Sequence, residues 1–65
     1  MKQADGKIDL RFLRMSKGWS QQEVADMAGI SRSYIGMLEC GRTPSVAVAH
    51  KLAQIFRIEW HAFFN

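Results

Sequence analysis

The sequence is short of the features that brace small proteins or carry them into membranes. Its 65 residues include one cysteine and one proline. A single cysteine cannot form an internal disulfide, and Cys40 with two separate histidines lacks the ligand pattern of a zinc site. The longest apolar runs are far below the roughly 20 residues of a membrane span, and the N-terminus lacks a signal-peptide core. We therefore expect a cytoplasmic protein with no metal, no cofactor and no membrane contact.

The composition is typical of one small globular domain. Apolar residues make up 48% of the chain, and nine Lys and Arg against six Asp and Glu give a net charge of +3. That charge suits a polyanionic partner without requiring one. Apolar residues recur at helical spacing and no strand-like alternation occurs, so the sequence predicts an all-α fold. A core this small usually needs support, and a partner chain is the option that remains.

Glycines and capping residues divide the chain into five short helices. Ser20 and Glu23 are spaced as a capping box, in which each side chain accepts from the other residue's backbone N–H. We expect a flexible N-terminal arm over residues 1–7 and a compact bundle over residues 8–65. The first predicted helix runs over about 8–17, the second from the cap Ser20 to Gly29, and the third from the cap Ser31 to before Gly41. The fourth begins at 43–45, and the fifth covers about 59–64.

The second and third helices are joined by a tight turn at Gly29. Ala25 is small at the point where the two helices would cross, and Gly29 follows four residues later. Apolar residues occupy the remaining positions at which such a pair needs contacts. The spacing predicts a helix-turn-helix. These apolar positions are Val24, Ala28, Ile30, Ile35 and Leu38.

Through these residues the sequence resembles the Xre family, the lambda-repressor-like DNA-binding domains. The resemblance covers nearly the whole chain. It implies a five-helix bundle whose third helix enters the major groove of double-stranded DNA. The implied function is a sequence-specific transcriptional regulator, expected to be a repressor, with no catalytic residues and no small-molecule ligand. The matching segments are LRFLR (10–14), GWSQQEVA (18–25), GISRSYI (29–35), LECGR (38–42) and PS (44–45).

Four residues of the third helix point away from its buried side and are predicted to contact bases. Arg32 can pair with a guanine edge through two hydrogen bonds, and the alternative is a phosphate contact or a solvated charge. Ser33 can donate or accept. Met37 can meet a thymine methyl, or is an exposed residue that touches nothing. Gly36 costs about 1 kcal/mol in a helix relative to alanine, which close approach to DNA or packing between helices would justify.

Phosphate contacts are predicted for Gln21 and the backbone amides at the start of the second helix, where the helix dipole favours an anion. Ser31, Tyr34 and Arg42 are further candidates. For Tyr34 the alternative is an aromatic ring that covers the edge of the motif. The resemblance also implies that Gln21 braces the first base-reading side chain, here Arg32, although the family often has glutamine at that position.

The resemblance further implies an ion pair between Arg14 and Glu39, which would tie the first helix to the end of the third. The alternative is two independent surface charges. Such a pair would orient the loop that faces the phosphates.

Three aromatic residues lie within five positions at the C-terminal end: Trp60, Phe63 and Phe64. One small bundle can hardly bury all three and also a second apolar stripe on the first helix, which consists of Ile8, Phe12 and Met15. We therefore predict a homodimer through this segment and a near-palindromic operator. The alternative is that the aromatics cap the bundle's own core. A second reading of the function is a protein-interaction module, such as an antitoxin or co-regulator, that binds a partner protein through the apolar last helix.

Overall fold

The computed structural model of the protein describes residues 8–64, so the predicted N-terminal arm and Asn65 lie outside the described residues. Within that range the chain forms four α-helices and a final 3-10 helix, and none of these helices is long and apolar enough to cross a membrane. The predicted all-α bundle is confirmed, with its last segment in the tighter 3-10 geometry. The elements are α1 (Leu10–Ser16), α2 (Gln21–Ala28), α3 (Arg32–Glu39), α4 (Val46–Phe56) and the 3-10 helix (Trp60–Phe64).

Each α-helix begins after a short polar side chain whose oxygen accepts a hydrogen bond from a backbone N–H in the first turn. At α2 the predicted capping box is present: Glu23 N–H lies 3.0 Å from the Ser20 hydroxyl, and Ser20 N–H lies 2.7 Å from the Glu23 carboxylate. The first helix was predicted to start at about Ile8, but α1 starts at Leu10 because Asp9 is its cap. The four capping residues are Asp9, Ser20, Ser31 and Ser45.

The turn between α2 and α3 depends on Gly29. Its φ of +70° lies in the left-handed region, which glycine adopts without a Cβ penalty. The N–H of Ile30 then returns to the carbonyl of Ala25 at 3.0 Å and closes the end of α2. The turn therefore needs only residues 29–31, and α2 and α3 pack directly against each other.

The core lies where α2 packs against α3 and α4 and where α1 crosses α3. On α4 one face of the helix is buried, and His50, Lys51 and Gln54 are exposed. This arrangement leaves the outer side of α3 uncovered. The buried apolar residues are Leu10, Val24, Ala25, Ala28, Ile35, Leu38, Ala49, Leu52, Ala53, Phe56 and Phe63.

The C-terminal segment differs from its predicted role in one residue. Phe63, assigned above to a dimer surface, is 5% exposed and belongs to the core of its own chain. The reason is a chain reversal after α4, which brings the 3-10 helix back across the bundle so that the N–H of Ile8 lies 3.4 Å from the carbonyl of Ala62. Phe64 stays 39% exposed, and Trp60 is half-buried. Of the three aromatics, these two leave part of their surface exposed.

Candidate nucleic-acid interface

The outer side of α3 is an open face that carries all four predicted base-contacting residues. Arg32, Ser33 and Met37 are exposed and Gly36 is half-buried. Ile35 and Leu38 hold the opposite side of the helix in the core. The face continues into a groove that is lined by Gln21, Ser33, Gly36, Met37, Cys40 and Arg42.

Gly36 has open space where a side chain would stand. A Cβ built on this residue would meet no atom within 4 Å outside its own helix turn and chain neighbours. Packing between helices therefore does not account for a glycine that costs about 1 kcal/mol in a helix interior. The free space lies on the groove and is available to an approaching molecule.

Met37 and Arg42 stand side by side at the far end of this face. Met37 is 43% exposed, and the Nη1 of Arg42 lies 3.6 Å from its sulfur. Arg42 follows the end of α3 and is itself exposed. The groove therefore has an apolar edge and a positive charge next to each other.

Arg14 and Glu39 are brought together by the packing of α1 against α3. Arg14 Nε lies 2.6 Å from Glu39 Oε2, and Arg14 Nη2 lies 3.2 Å from Glu39 Oε1. A third bond, 2.9 Å long, runs from Arg14 Nη1 to the carbonyl of Trp19. The two side chains are only 13% and 7% exposed. The hydrogen bond to Glu39 raises the pKa of Arg14, against the opposing effect of burial and with further help from the Glu39 charge.

Gln21 connects this ion pair to the base-facing arginine. Its Nε2 donates to Glu39 Oε1 at 3.1 Å, and its Oε1 accepts from Arg32 Nη1 at 3.2 Å. The contact between Gln21 and Arg32 that the family resemblance implied is thus present. Because one amide hydrogen already serves Glu39, a phosphate at this position would meet the second amide hydrogen or the backbone N–H groups of α2.

Ser31 and Tyr34 are predicted phosphate residues that also have bonds inside the protein. The hydroxyl of Ser31 accepts from the N–H of Tyr34 at 3.0 Å, as the cap of α3. The hydroxyl of Tyr34 accepts from the N–H of Ser45 at 3.3 Å, and its ring packs on the core. In both residues the hydroxyl acts as acceptor, so its own hydrogen remains available to a phosphate oxygen.

The sequence analysis assigned no contact role to two further residues of this face. Arg11 and Cys40 line a second recess together with Arg14, Gln21, Gly36 and Glu39. The signal for Arg11 was its spacing of three residues from Arg14, which places both on neighbouring positions of one helix face. Among residues 8–64 no group of three or more His, Cys, Asp or Glu side chains is placed to hold a metal ion. Because the charges of Glu39 and Arg14 neutralise each other, the positive charge of this face comes from three exposed arginines, Arg11, Arg32 and Arg42.

Comparisons with known proteins agree with the helix-turn-helix described above. The sequence model of the family described as helix-turn-helix matches residues 10–63. The uncharacterized HTH-type transcriptional regulator YqaF of Bacillus subtilis is 44% identical over 57 residues, which cover 86% of this chain and 75% of that protein. The competence pilus inhibition repressor of Acinetobacter baylyi is 44% identical over 48 residues, which cover 72% of this chain and 44% of that protein.

A solved structure is similar as well. The restriction-modification controller protein C.AhdI of Aeromonas hydrophila shares 42% sequence identity, and its crystal structure superimposes with a TM-score of 0.75 over 86% of each chain.

Proposed function

Because this chain belongs to the helix-turn-helix family and is a DNA-binding regulator, we propose that it is a sequence-specific repressor that binds DNA and catalyses no reaction. It works as a homodimer on a near-palindromic operator in the cytoplasm, associated with the nucleoid. The open face of α3 carries the proposal, because it combines Arg32, which is hydrogen-bonded to Gln21, with the uncovered Gly36 and the apolar Met37 that line the groove.

In this proposal α3 lies in the major groove of the operator. Arg32 makes a bidentate contact to the O6 and N7 of a guanine, which is worth about 1–3 kcal/mol against a wrong base. Ser33 donates to or accepts from the next base edge. Met37 packs on a thymine methyl, and Gly36 lets the helix backbone approach the DNA closely.

The phosphates on either side are held by Gln21, Ser31, Tyr34 and Arg42. The N–H groups that begin α2 and α3 favour an anion through the helix dipole. The hydroxyls of Ser31 and Tyr34 and the exposed Arg42 guanidinium add donors around the groove. Contacts of this kind fix the register of the protein on the duplex without reading its sequence.

The homodimer forms through Phe64 and the exposed part of Trp60. Their rings lie 5.8 Å apart in an edge-to-face arrangement at the C-terminal end of the described chain. A two-fold contact here buries the same apolar surface on both chains. Two copies of α3 about one DNA turn apart, roughly 34 Å, then meet half-sites whose centres are ~10–11 base pairs apart.

Binding-site selection from randomised duplexes tests the proposal directly, because half-site sequence and spacing report base reading and symmetry together. On the selected operator, Arg32→Ala should relax preference at one base position by about 1–3 kcal/mol. Arg42→Ala should weaken every sequence alike and lower the salt dependence. Arg57→Gln, which removes the same charge at the end of α4, is the control. An equal loss for every base variant with Arg32→Ala would contradict the base-reading role.

A further inference from the structure

The orientation of the Gln21 side chain is decided by its two neighbours. Glu39 offers a carboxylate that only accepts hydrogen bonds, and Arg32 offers a guanidinium that only donates them. The amide nitrogen of Gln21 must therefore face Glu39, at 3.1 Å, and its oxygen must face Arg32, at 3.2 Å. The reverse orientation would place acceptor against acceptor and donor against donor.

This series of hydrogen bonds has one end that is held inside the protein and one end that is exposed. Glu39 receives two bonds from Arg14, which is in turn held by the carbonyl of Trp19. The Glu39 side chain is 7% exposed, whereas Arg32 is exposed on the outer face of α3. In the described structure the Gln21 amide connects the partly buried ion pair to the exposed arginine.

We propose that Glu39 is a positioning residue for Arg32: acting through Gln21, it holds the guanidinium in the orientation that reads a base. The inference rests on the proposed function, in which Arg32 contacts a guanine. A free arginine loses much rotamer entropy when it binds, and a preorganised one loses less. Base discrimination at one operator position thus depends on a residue that touches no DNA.

A purely structural ion pair would have a different consequence. Its loss would lower the stability of the domain, and any loss of affinity would apply to all duplexes equally. A positioning role instead changes the ratio between the Kd for a duplex in which the guanine is replaced and the Kd for the selected operator. That ratio is the base discrimination, and a uniform loss of folded protein does not change it.

The experiment measures this ratio for Glu39→Gln, for Gln21→Met and for the double variant. Each single variant should lower the ratio by about threefold to tenfold, the effect of one hydrogen bond. In the double variant the ratio should be no lower than in Gln21→Met, since Glu39 then has nothing to act through. Gln22→Met, the same substitution at the neighbouring exposed glutamine, should leave the ratio unchanged.

A second measurement needs no DNA. The 15N relaxation of the Arg32 Nε–H in the free protein should show a lower order parameter in Glu39→Gln and in Gln21→Met than in the wild type. Because Glu39 acts through Gln21, an unchanged order parameter in Gln21→Met would overturn the proposal even where Glu39→Gln does not fold.

Two results would overturn the proposal. One is a wild-type ratio in either single variant, and the other is a further drop when Glu39→Gln is added to Gln21→Met. Arg32→Ala separates these failures from failure of the proposed function. If it removes the discrimination while the other variants retain it, only the positioning role is wrong. If it leaves discrimination unchanged at every position, the base-reading role fails, and the positioning role fails with it.

Discussion

The phenol oxygen of Tyr34, in α3, accepts a hydrogen bond from the backbone N–H of Ser45, the cap of α4, at 3.3 Å. The tyrosine ring packs on the core beneath this bond. The helix that faces the groove is thus tied to the next helix across the loop of residues 40–44. The hydroxyl hydrogen is not used by this bond, so one side chain can brace the fold and donate to a phosphate.

Tyr34→Phe should lower the free energy of unfolding by about 0.5–1 kcal/mol, because it removes one hydrogen bond whose partly exposed N–H water can take over. It should also weaken binding to the operator and to unrelated duplexes by the same factor, since a phosphate donor is lost. Urea unfolding and DNA titration measure the two effects. Unchanged stability together with unchanged affinity would contradict both roles of the hydroxyl.

Much of the fold could be predicted because its signals are local. Ser20, Ser31 and Gly29 act within one turn of their own position, and the structure uses each as the sequence indicated. The start of α1 was placed two residues early, although Asp9 is a good capping residue, because the apolar Ile8 was included in the helical pattern. The burial of Phe63 could not be predicted, since it depends on how the chain turns back after α4.

The candidate site likewise has some features that the sequence predicts and others that depend on how the helices pack. The outer positions of α3 follow from helical periodicity once the buried side is known. The bond from Gln21 to Glu39 joins residues 18 positions apart, and the Tyr34 to Ser45 bond crosses a loop. Neither contact has a pattern in the sequence, because each depends on the angle at which helices pack.

The Arg14 and Glu39 pair should show strong coupling in a double-mutant cycle. Replacing either partner by methionine should cost about 2–3 kcal/mol of unfolding free energy, because the remaining charge is left largely buried without its partner. Replacing both should cost less than the sum of the single losses, with a coupling of at least about 1 kcal/mol. Urea unfolding of the four proteins measures the cycle. Additive losses would show that the two charges act independently.

The contribution of Arg14 should not vary with pH in the neutral range. Its pKa is raised by the hydrogen bond to Glu39. A group with a raised pKa contributes stability that is fully present below its unfolded pKa and is lost only as pH rises through the folded value. The stability difference between wild type and Arg14→Met should therefore be constant between about pH 6 and 9. A difference that declines across this range would contradict the assignment.

Gly36→Ala should separate stability from binding. The added methyl group meets open space in the free protein, so the better helix propensity of alanine should raise stability by about 0.5–1 kcal/mol. On the operator the same methyl should stand where the DNA approaches and cost about 1–3 kcal/mol of affinity, as overpacking does. Thermal unfolding and DNA titration give the two values. Gln54→Ala, at an exposed position of α4, is the control and should leave affinity unchanged. Tight binding by Gly36→Ala would rule out close approach at this residue.

The exposed phenylalanines distinguish the proposed dimer surface from the rest of the molecule. Phe64 is 39% exposed next to Trp60, and Phe12 is 67% exposed on α1. Phe64→Glu should weaken self-association in sedimentation equilibrium between micromolar and hundred-micromolar protein while leaving the monomer folded. Phe12→Glu, the same change elsewhere, should leave association unchanged.

Phe63 should behave differently from its neighbour because it is 5% exposed in the core of its own chain. Phe63→Ala should cost about 3 kcal/mol or more of unfolding free energy through the cavity that it leaves, and a domain of this size has little stability to spare. Circular dichroism during urea unfolding measures that loss, while Phe64→Ala should change the monomer by less than about 1 kcal/mol. The dimer proposal itself would be wrong if the wild-type chain stayed monomeric at every concentration and bound an isolated half-site as tightly as the palindrome. In that case Phe64 would only cover the edge of the bundle, and Phe12→Glu and Phe64→Glu would be indistinguishable.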